Sequence, residues 1–414
     1  MIGKVEKKAI QDELDSLNKR EVFGPITPTP KGVKPVGYKW VFVRKRNERN
    51  EVVRYKARLV AQGFTQKPGI DYTETYSPVV DATTLRFLIS LSVIEQLQMQ
   101  LMDVVTAYLY GSLDTDIYMR ILEGLKMPEA LKSKPRHMYS IKLKRSLYGL
   151  KQSERMWYNR LSEYLIKKGF CNNQISPCLF IKRTESEFII IAVYVDDLNI
   201  IGSPEEIRQA ADYLKNIAFS VNLLARYSST PTKRHWNGVK HILCYLRGTS
   251  DMGLYFERHE DVKATNLVGY SDAGYLSGPH KAISQSGYVF MYGGTAISWR
   301  STKQTLVATS SNHAELIALY EVGRECVWLR SLTHYVRESC GLESIEKSPT
   351  VIYEDNAACI AQIKDGYIKG DRTKHISPKF FSTHELQVEG KVDVTQIPSS
   401  QNLADLFMKA LPTK

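Results

Sequence analysis

Two hydrophobic rhythms alternate along the chain, and each change of rhythm marks an element. Over residues 1–23, Ala9, Ile10, Leu14 and Leu17 recur at helical spacing and predict a helix. Pro25, Pro28, Pro30 and Pro35 predict an extended linker over 24–36. Residues 38–44 and 52–61 read as two strands around a turn at 47–50. Residues 83–97 return to helical spacing. Residues 98–103 then predict a strand that ends at Asp103 and turns into a helix, and an Asp at such a boundary is by default a helix N-cap. An amphipathic helix is predicted over 154–168.

The longest apolar run is Phe188-Ile189-Ile190-Ile191-Ala192-Val193-Tyr194-Val195. It runs straight into Asp196-Asp197, and Leu198-Asn199-Ile200-Ile201-Gly202 follows. β-Branched and aromatic enrichment at this length predicts a buried strand, a tight turn and a returning strand. Two like charges at the mouth of an apolar hairpin repel and lose solvation unless a cation joins them, and Mg²⁺ prefers such hard oxygens. An ordinary solvated Asp-Asp turn accounts for these few residues equally well.

Beyond residue 262 the predicted order is strand 266–272, strand 286–292, strand 295–299, helix 312–335, strand 350–355, helix 356–363, strand 392–398 and helix 402–411. Strands first and then alternation predict an α/β or α+β unit with a mixed sheet. Asp272, Glu315, Asp355 and Asp405 sit at element edges. Singly, each reads as a turn, cap or first-turn acid, and Asp405 lies at capping distance from Asn402.

Composition sharpens this picture. A chain of 414 residues has room for two or three domains, and 43% hydrophobic with 24% charged residues is ordinary for a globular protein. The net charge of +12 suits a polyanionic partner. Eleven basic residues lie between Lys31 and Lys67, opposed only by Glu48 and Glu51. Such a run is usually a solvated face, but Tyr38, Trp40, Phe42 and Tyr55 interleave it and favour nucleic-acid contact. The longest apolar run is too short to cross a bilayer, so no membrane partner is expected. The N-terminus MIGKVEKKAIQDEL has no secretory apolar core. The six cysteines are scattered, as reduced intracellular thiols are.

Five motifs then stand in order: Arg54-Tyr55-Lys56-Ala57-Arg58-Leu59-Val60-Ala61, Gly69-Ile70-Asp71-Tyr72-Thr73-Glu74-Thr75, Asp103 with Ala107-Tyr108, Leu147-Tyr148-Gly149-Leu150-Lys151-Gln152, and Tyr194-Val195-Asp196-Asp197. Together they resemble the reverse transcriptase of Ty1/copia-type retrotransposons, most like plant elements. The resemblance implies a right-hand fold with fingers and palm. It implies that Asp103, Asp196 and Asp197 hold two Mg²⁺ ions for nucleotidyl transfer. By the same resemblance Lys56 and Arg58 grip the deoxynucleoside triphosphate, Tyr108 excludes a 2′-hydroxyl, and Gln152 lies where the template–nucleotide pair is held. An RNA template and a DNA primer are the implied partners.

As a set, Asp272, Glu315, Asp355 and Asp405 resemble the D-E-D-D constellation of the retrotransposon ribonuclease H. This implies two further Mg²⁺ ions and cleavage of the RNA strand of an RNA–DNA hybrid. Thr373-Lys374-His375-Ile376 is another match, with His375 expected to be structural. The expected fold class is therefore an α+β and α/β multidomain chain: fingers–palm over 1–216, truncated connection helices over 217–261, and a ribonuclease H-like domain over 262–414.

The chain departs from the family between its halves. Only 69 residues, 203–271, separate the hairpin from the first ribonuclease H strand, too few for a thumb. An internal deletion near 215–218 is inferred. Met408 also replaces the Thr of the family's Phe-Thr-Lys-Ala-Leu ending. Two rivals to the polymerase reading are a non-catalytic nucleic-acid-binding remnant and ribonuclease H activity alone.

Overall fold

The computed structural model describes residues 4–46, 51–104, 106–125, 127–131, 135–185, 187–204, 254–256, 267–277, 283–343, 348–367 and 376–408. The junction inferred near 215–218, the connection helices and His375 lie outside them.

Helix α1 (Lys4–Lys19) opens the chain, and its buried Leu17 packs with Leu59 and Ala61. Strand β1 (Phe23–Pro28) follows where a linker was expected. It pairs antiparallel with β6 (Tyr139–Leu143), which also pairs with β5 (Tyr118–Arg120). As an edge strand β1 has one ladder to serve, so Pro25 and Pro28 are tolerated. β2 (Tyr38–Arg46) and β3 (Val52–Ala61) form the expected hairpin, with Val41 opposite Arg58 and Val43 opposite Lys56.

The centre of this half is a four-stranded antiparallel sheet. Its order is β4 (Gln98–Asp103), β9 (Asp197–Gly202), β8 (Phe188–Tyr194) and β7 (Leu179–Arg183). The side chains of β8 alternate between two cores. Ile190 and Ala192 pack with Phe87, Leu88 and Leu91 of α2 (Ala82–Ile94). Ile189, Ile191 and Val193 pack with Trp157, Leu161 and Leu165 of α3 (Ser153–Lys167). A strand covered on both faces needs an unbroken apolar run, which is why 188–193 shows no alternation. Asp81 caps α2, accepting from the Thr83 and Thr84 amides at 2.8 and 2.9 Å. After Asp103 the expected helix is only a 3₁₀ turn, Ala107–Tyr110.

The second half is one mixed five-stranded sheet. Its order is β12 (Thr295–Lys303), β11 (Gln285–Tyr292), β10 (Leu267–Gly274), β13 (Thr350–Glu354) and β14 (Val392–Gln396). The first three strands are antiparallel neighbours. β13 is parallel to both β10 and β14. Helix α4 (Ser311–Cys340) buries Leu316, Leu319, Leu329 and Leu332 against the sheet. It starts at Ser310, whose hydroxyl accepts from the His313 amide, and stops at Gly341 in the left-handed region. α5 (Ala357–Asp365) and α6 (Ser382–Val388) complete the unit. Of the helix expected over 402–411, the described residues form a 3₁₀ turn, Leu403–Phe407, and 409–411 lie outside them. Among the described residues no helix is long and apolar enough to cross a membrane.

The two halves share a core. The side of α2 turned away from β8 docks on the β11–β12 hairpin. Phe87 meets Tyr292 edge to face at 5.1 Å, and the Ser90 hydroxyl donates to the Tyr292 carbonyl at 2.8 Å. Arg86 lies 3.9 Å over the Trp299 ring and donates to the Ile297 carbonyl at 3.0 Å. Arg337 of α4 has a side chain only 4% exposed and binds Glu95 of the other half at 3.0 Å. It also donates to the Tyr292 hydroxyl and the Glu343 carbonyl. Removing one member of a buried ion pair leaves its partner without compensation, at a cost of about 3–5 kcal/mol. Arg337→Ala should therefore lower the unfolding free energy measured by urea titration by an amount in that range, and wild type should unfold in a single transition by fluorescence and circular dichroism. A loss under about 1 kcal/mol, or two separate transitions, would show that the halves are not coupled through this contact.

Candidate active sites

The first candidate lies at the tip of the β8–β9 hairpin. Val195 is in the left-handed region at φ 57°, unusual for a β-branched residue and costing roughly 1–2 kcal/mol. Three backbone carbonyls around the tip are held by fixed donors. Val195 accepts from the Trp157 indole at 2.8 Å, Asp196 from the Val104 amide at 2.7 Å, and Val193 from the Val80 amide at 2.8 Å. The β4–β9 register sets Asp103 directly opposite Asp197. The backbone thus brings Asp103, Asp196 and Asp197 to one sheet end.

Tyr108 stands beside this end. Its hydroxyl donates to Glu154 at 3.2 Å, and its ring meets Tyr148 edge to face at 5.7 Å. Burial, then the charges of Glu154 and Asp196, hold the Tyr108 hydroxyl far above the usual phenol range. Tyr148 is raised too, chiefly by burial and then by Glu13. Arg58 lies 5.7 Å over the Tyr148 ring. Gly149 makes this approach possible. It takes a left-handed φ of 86°, and a Cβ there would strike the Ala61 carbonyl, so the Leu147-Tyr148-Gly149-Leu150 segment abuts the end of β3. Two short bonds seal it, Ala61 N–H to Tyr148 O at 2.7 Å and Gly63 N–H to Gly149 O at 3.1 Å. Lys56 shares β3 with Arg58.

Gln152 departs from expectation. It is completely buried, donates to the Asp71 carbonyl at 3.0 Å and accepts from Gln66 at 3.1 Å. It ties the 66–71 loop to the start of α3 and presents no open amide to a ligand.

The second candidate lies just past the end of the β10–β13 ladder. Their parallel register pairs Tyr270 with Tyr353, so Asp272 and Asp355 each lie two residues further on and emerge side by side. Glu315 comes from the start of α4, which crosses this end. Ligand oxygens of Asp272, Glu315 and Asp355 all lie within 4.8 Å of one another. Glu315 is 5% exposed, and its Oε2 has no hydrogen-bond partner. Burial, then Glu354, Asp272 and Asp355, push its carboxyl up to about 10. Hard, crowded oxygens with an orphaned lone pair fit a divalent cation. Asp405 is outside this group of three. Its 3₁₀ turn packs on β10, where Asn402 donates to the Ser271 carbonyl at 2.7 Å.

Glu354 was missed. It is wholly buried, one oxygen accepts from the Asn356 amide at 3.2 Å, and its carboxyl is raised chiefly by burial. The signal was present in the alternation of β13, where Thr350, Ile352 and Glu354 share the core face.

Residues 21–229 match the reverse transcriptase (RNA-dependent DNA polymerase) family. The chain belongs to this family. The tobacco (Nicotiana tabacum) Pol polyprotein of transposon TNT 1-94 is 30% identical to it, over 98% of this chain and 36% of that protein. The Arabidopsis thaliana polyprotein of transposon RE2 is 27% identical, over 98% and 33%. The Saccharomyces cerevisiae Ty1-ER2 Gag-Pol polyprotein is 23% identical, over 91% and 26%. These are Ty1/copia-type elements, and the chain spans about a third or less of their length. The TNT 1-94 alignment runs over 504 positions and the chain has 414 residues, so at least 90 of those positions have no counterpart here. A solved structure, LC11-RNase H1 in complex with RNA/DNA hybrid, aligns with 34% of this chain and 93% of that one at 19% identity and a TM-score of 0.25.

The raised Glu315 carboxyl has a consequence for this reverse transcriptase relative. Without a cation, Glu315 keeps its proton in the folded state up to about pH 10, whereas the unfolded chain releases it near 4.5. Its stabilisation is complete below 4.5 and is lost as the pH rises toward 10. In EDTA the melting temperature should fall across roughly pH 5 to 9. Millimolar Mg²⁺ should raise it most at the alkaline end, since ligand binding to the folded state adds stability. A melting temperature indifferent to Mg²⁺ at alkaline pH would count against a cation site.

Proposed function

We propose that this chain is an RNA-directed DNA polymerase unit joined to a ribonuclease H unit, in which hybrid cleavage is the retained activity. The observation that carries it is the convergence of Asp272, Glu315 and Asp355 within 4.8 Å, with a buried orphan oxygen on Glu315. Asp103 opposite Asp197 beside the strained Val195 turn supports the polymerase half, inside the segment that matches the family. The units are assigned as fingers–palm 1–216, connection 217–261 and ribonuclease H-like 262–414.

Two Mg²⁺ ions per centre would supply Lewis acidity to the attacking and leaving oxygens. In the second centre Asp272, Glu315 and Asp355 would hold them, with Asp405 completing the set from its adjoining turn. The RNA–DNA hybrid would be read by shape, 2′-hydroxyls and phosphates. In the first centre Asp103, Asp196 and Asp197 would hold the pair. Lys56 and Arg58 would bind the triphosphate, and the Tyr108 ring would close the space a 2′-hydroxyl needs. The RNA template and DNA primer would run along the basic β2–β3 hairpin, where Arg44 stacks on Tyr55 at 5.9 Å.

The absence of at least 90 positions present in the tobacco relative supports loss of an internal segment, assigned here between residues 203 and 271. That is where a thumb would hold the primer end. A small misplacement of the primer 3′-hydroxyl costs a factor on the order of 100 in rate.

Two assays test this. Purified protein with Mg²⁺ should cleave the RNA strand of a hybrid, Asp355→Asn should abolish cleavage with the fold retained, and hybrid binding should weaken steeply with salt. Cleavage surviving Asp355→Asn removes the assignment. Primer extension on poly(rA) should be feeble beside cleavage and no faster than an Asp196→Asn control by more than about tenfold. Processive extension would refute the thumb argument. Binding with neither activity would identify a nucleic-acid-binding remnant.

A further inference from the structure

A cavity of about 150 Å³ lies between the β11–β12 hairpin, α4 and the 3₁₀ turn Pro378–Phe381. Ser286 and Tyr288 of β11 line it. Gly287, between them, faces the other way, because a Cβ there would meet Phe407 and Met408. The cavity is therefore on the face of the sheet opposite the turn that carries Asp405. Its volume is roughly ten times what a single buried water requires, and about what a benzene ring occupies.

Gln304 lines this cavity and is 6% exposed. Its Nε2 donates to the Ser286 hydroxyl and to the Ala314 carbonyl, each at 2.9 Å. A carbonyl only accepts, so the amide is fixed this way round. Oε1 is then an acceptor, buried and without a hydrogen-bond partner, and it calls for a donor. The charge in the lining has the opposite preference. Arg300, Lys303 and Lys379 are exposed, and among the described residues none of them forms an ion pair. Glu321, the acid in the lining, reaches Arg324 at 3.5 Å. Tyr288 and Tyr320 add rings, and Phe380 braces Tyr320 edge to face at 5.4 Å.

We propose that this cavity is a nucleotide site, in which an amino-bearing base packs on the rings and donates to Gln304 Oε1 while its phosphate meets Arg300, Lys303 and Lys379. A phosphate alone would leave the buried acceptor unpaired. An apolar ligand would leave both the acceptor and the cations unused. A nucleotide with an exocyclic amine answers the rings, the acceptor and the positive charge together. Cytosine is the base that carries such an amine on a single ring. A free nucleotide and the unpaired end of a strand present the same groups. The Ala314 carbonyl that Gln304 holds directly precedes Glu315, so the side chain that reads the base also braces the start of α4.

The probe is CMP, and bound nucleotide is measured by equilibrium dialysis on the full chain. EDTA is present, so that the carboxylate centres offer no cation to the phosphate. No turnover is involved, so the result is separable from the cleavage assay. CMP should be retained. Its 4-deamino analogue, pyrimidin-2-one riboside 5′-monophosphate, should bind at least about tenfold more weakly, because Oε1 stays unpaired. Arg300→Gln combined with Lys379→Gln, both exposed, should weaken CMP about tenfold with an unchanged melting temperature. The second arm is an RNA–DNA hybrid with one unpaired 3′-terminal cytidine. Tighter binding than its blunt counterpart, with the difference lost in the double variant, assigns the site to a strand end. Retention of CMP without that difference assigns it to free nucleotide. An analogue held as tightly as CMP overturns the proposal, and so does CMP binding indifferent to the double variant. If neither CMP at about 1 mM nor the unpaired cytidine is held, the cavity carries water only and the proposal falls.

Discussion

From Ile189 to Val193 the central strand has no solvent face, and most of the molecule follows from covering both of its sides. Neither layer of cover serves packing alone. α3 supplies Trp157, whose indole holds the strained turn at Val195. α2 faces Ile190 and Ala192 on one side and Tyr292 and Trp299 on the other. One uninterrupted apolar run thereby fixes a carboxylate turn at its end and joins the first half of the chain to the second.

The two acidic ends solve one electrostatic problem by different means. At the hairpin, Asp103 and Asp197 are paired positions of one ladder, so backbone register decides their proximity. In the second half the acids come from β10, α4 and the residue after β13, and they meet just past the end of the parallel β10–β13 ladder. Glu354 adds a further carboxylate from inside, facing the core. Burial and crowding raise the Glu315 and Glu354 carboxyls, an arrangement expected where a divalent cation is the ordinary companion.

What sequence could show depended on how far each interaction reaches. The strand 188–193 was legible because two-sided burial writes itself as composition. The hairpin Tyr38–Ala61, helix α2 and the order of strands in the second half were legible from periodicity. β1 was not, because Pro25 and Pro28 read as a linker unless the strand is known to lie on an edge. Gln152 was misplaced because burial of a polar side chain depends on partners, here Gln66 and Asp71, that lie more than eighty residues away. Glu354 was hidden by its neighbour Asp355, although the alternation of β13 points it inward. The terminal 3₁₀ turn was read as a longer helix because Asn402 and Asp405 look like a cap, and Asn402 does cap it.

The docking of α2 on β11 and β12 also bears on how the protein is made. The Ser90–Tyr292 and Arg86–Ile297 bonds join residues 202 and 211 positions apart. At roughly 5–20 residues per second, a ribosome needs on the order of 10–40 s to travel from one partner to the other. Through that interval the first half folds with Phe87 and the outer side of α2 still waiting for their cover. The nascent chain therefore passes through an adhesive stage during synthesis, and chaperone attention should concentrate on that helix until the hairpin at Gly293 emerges.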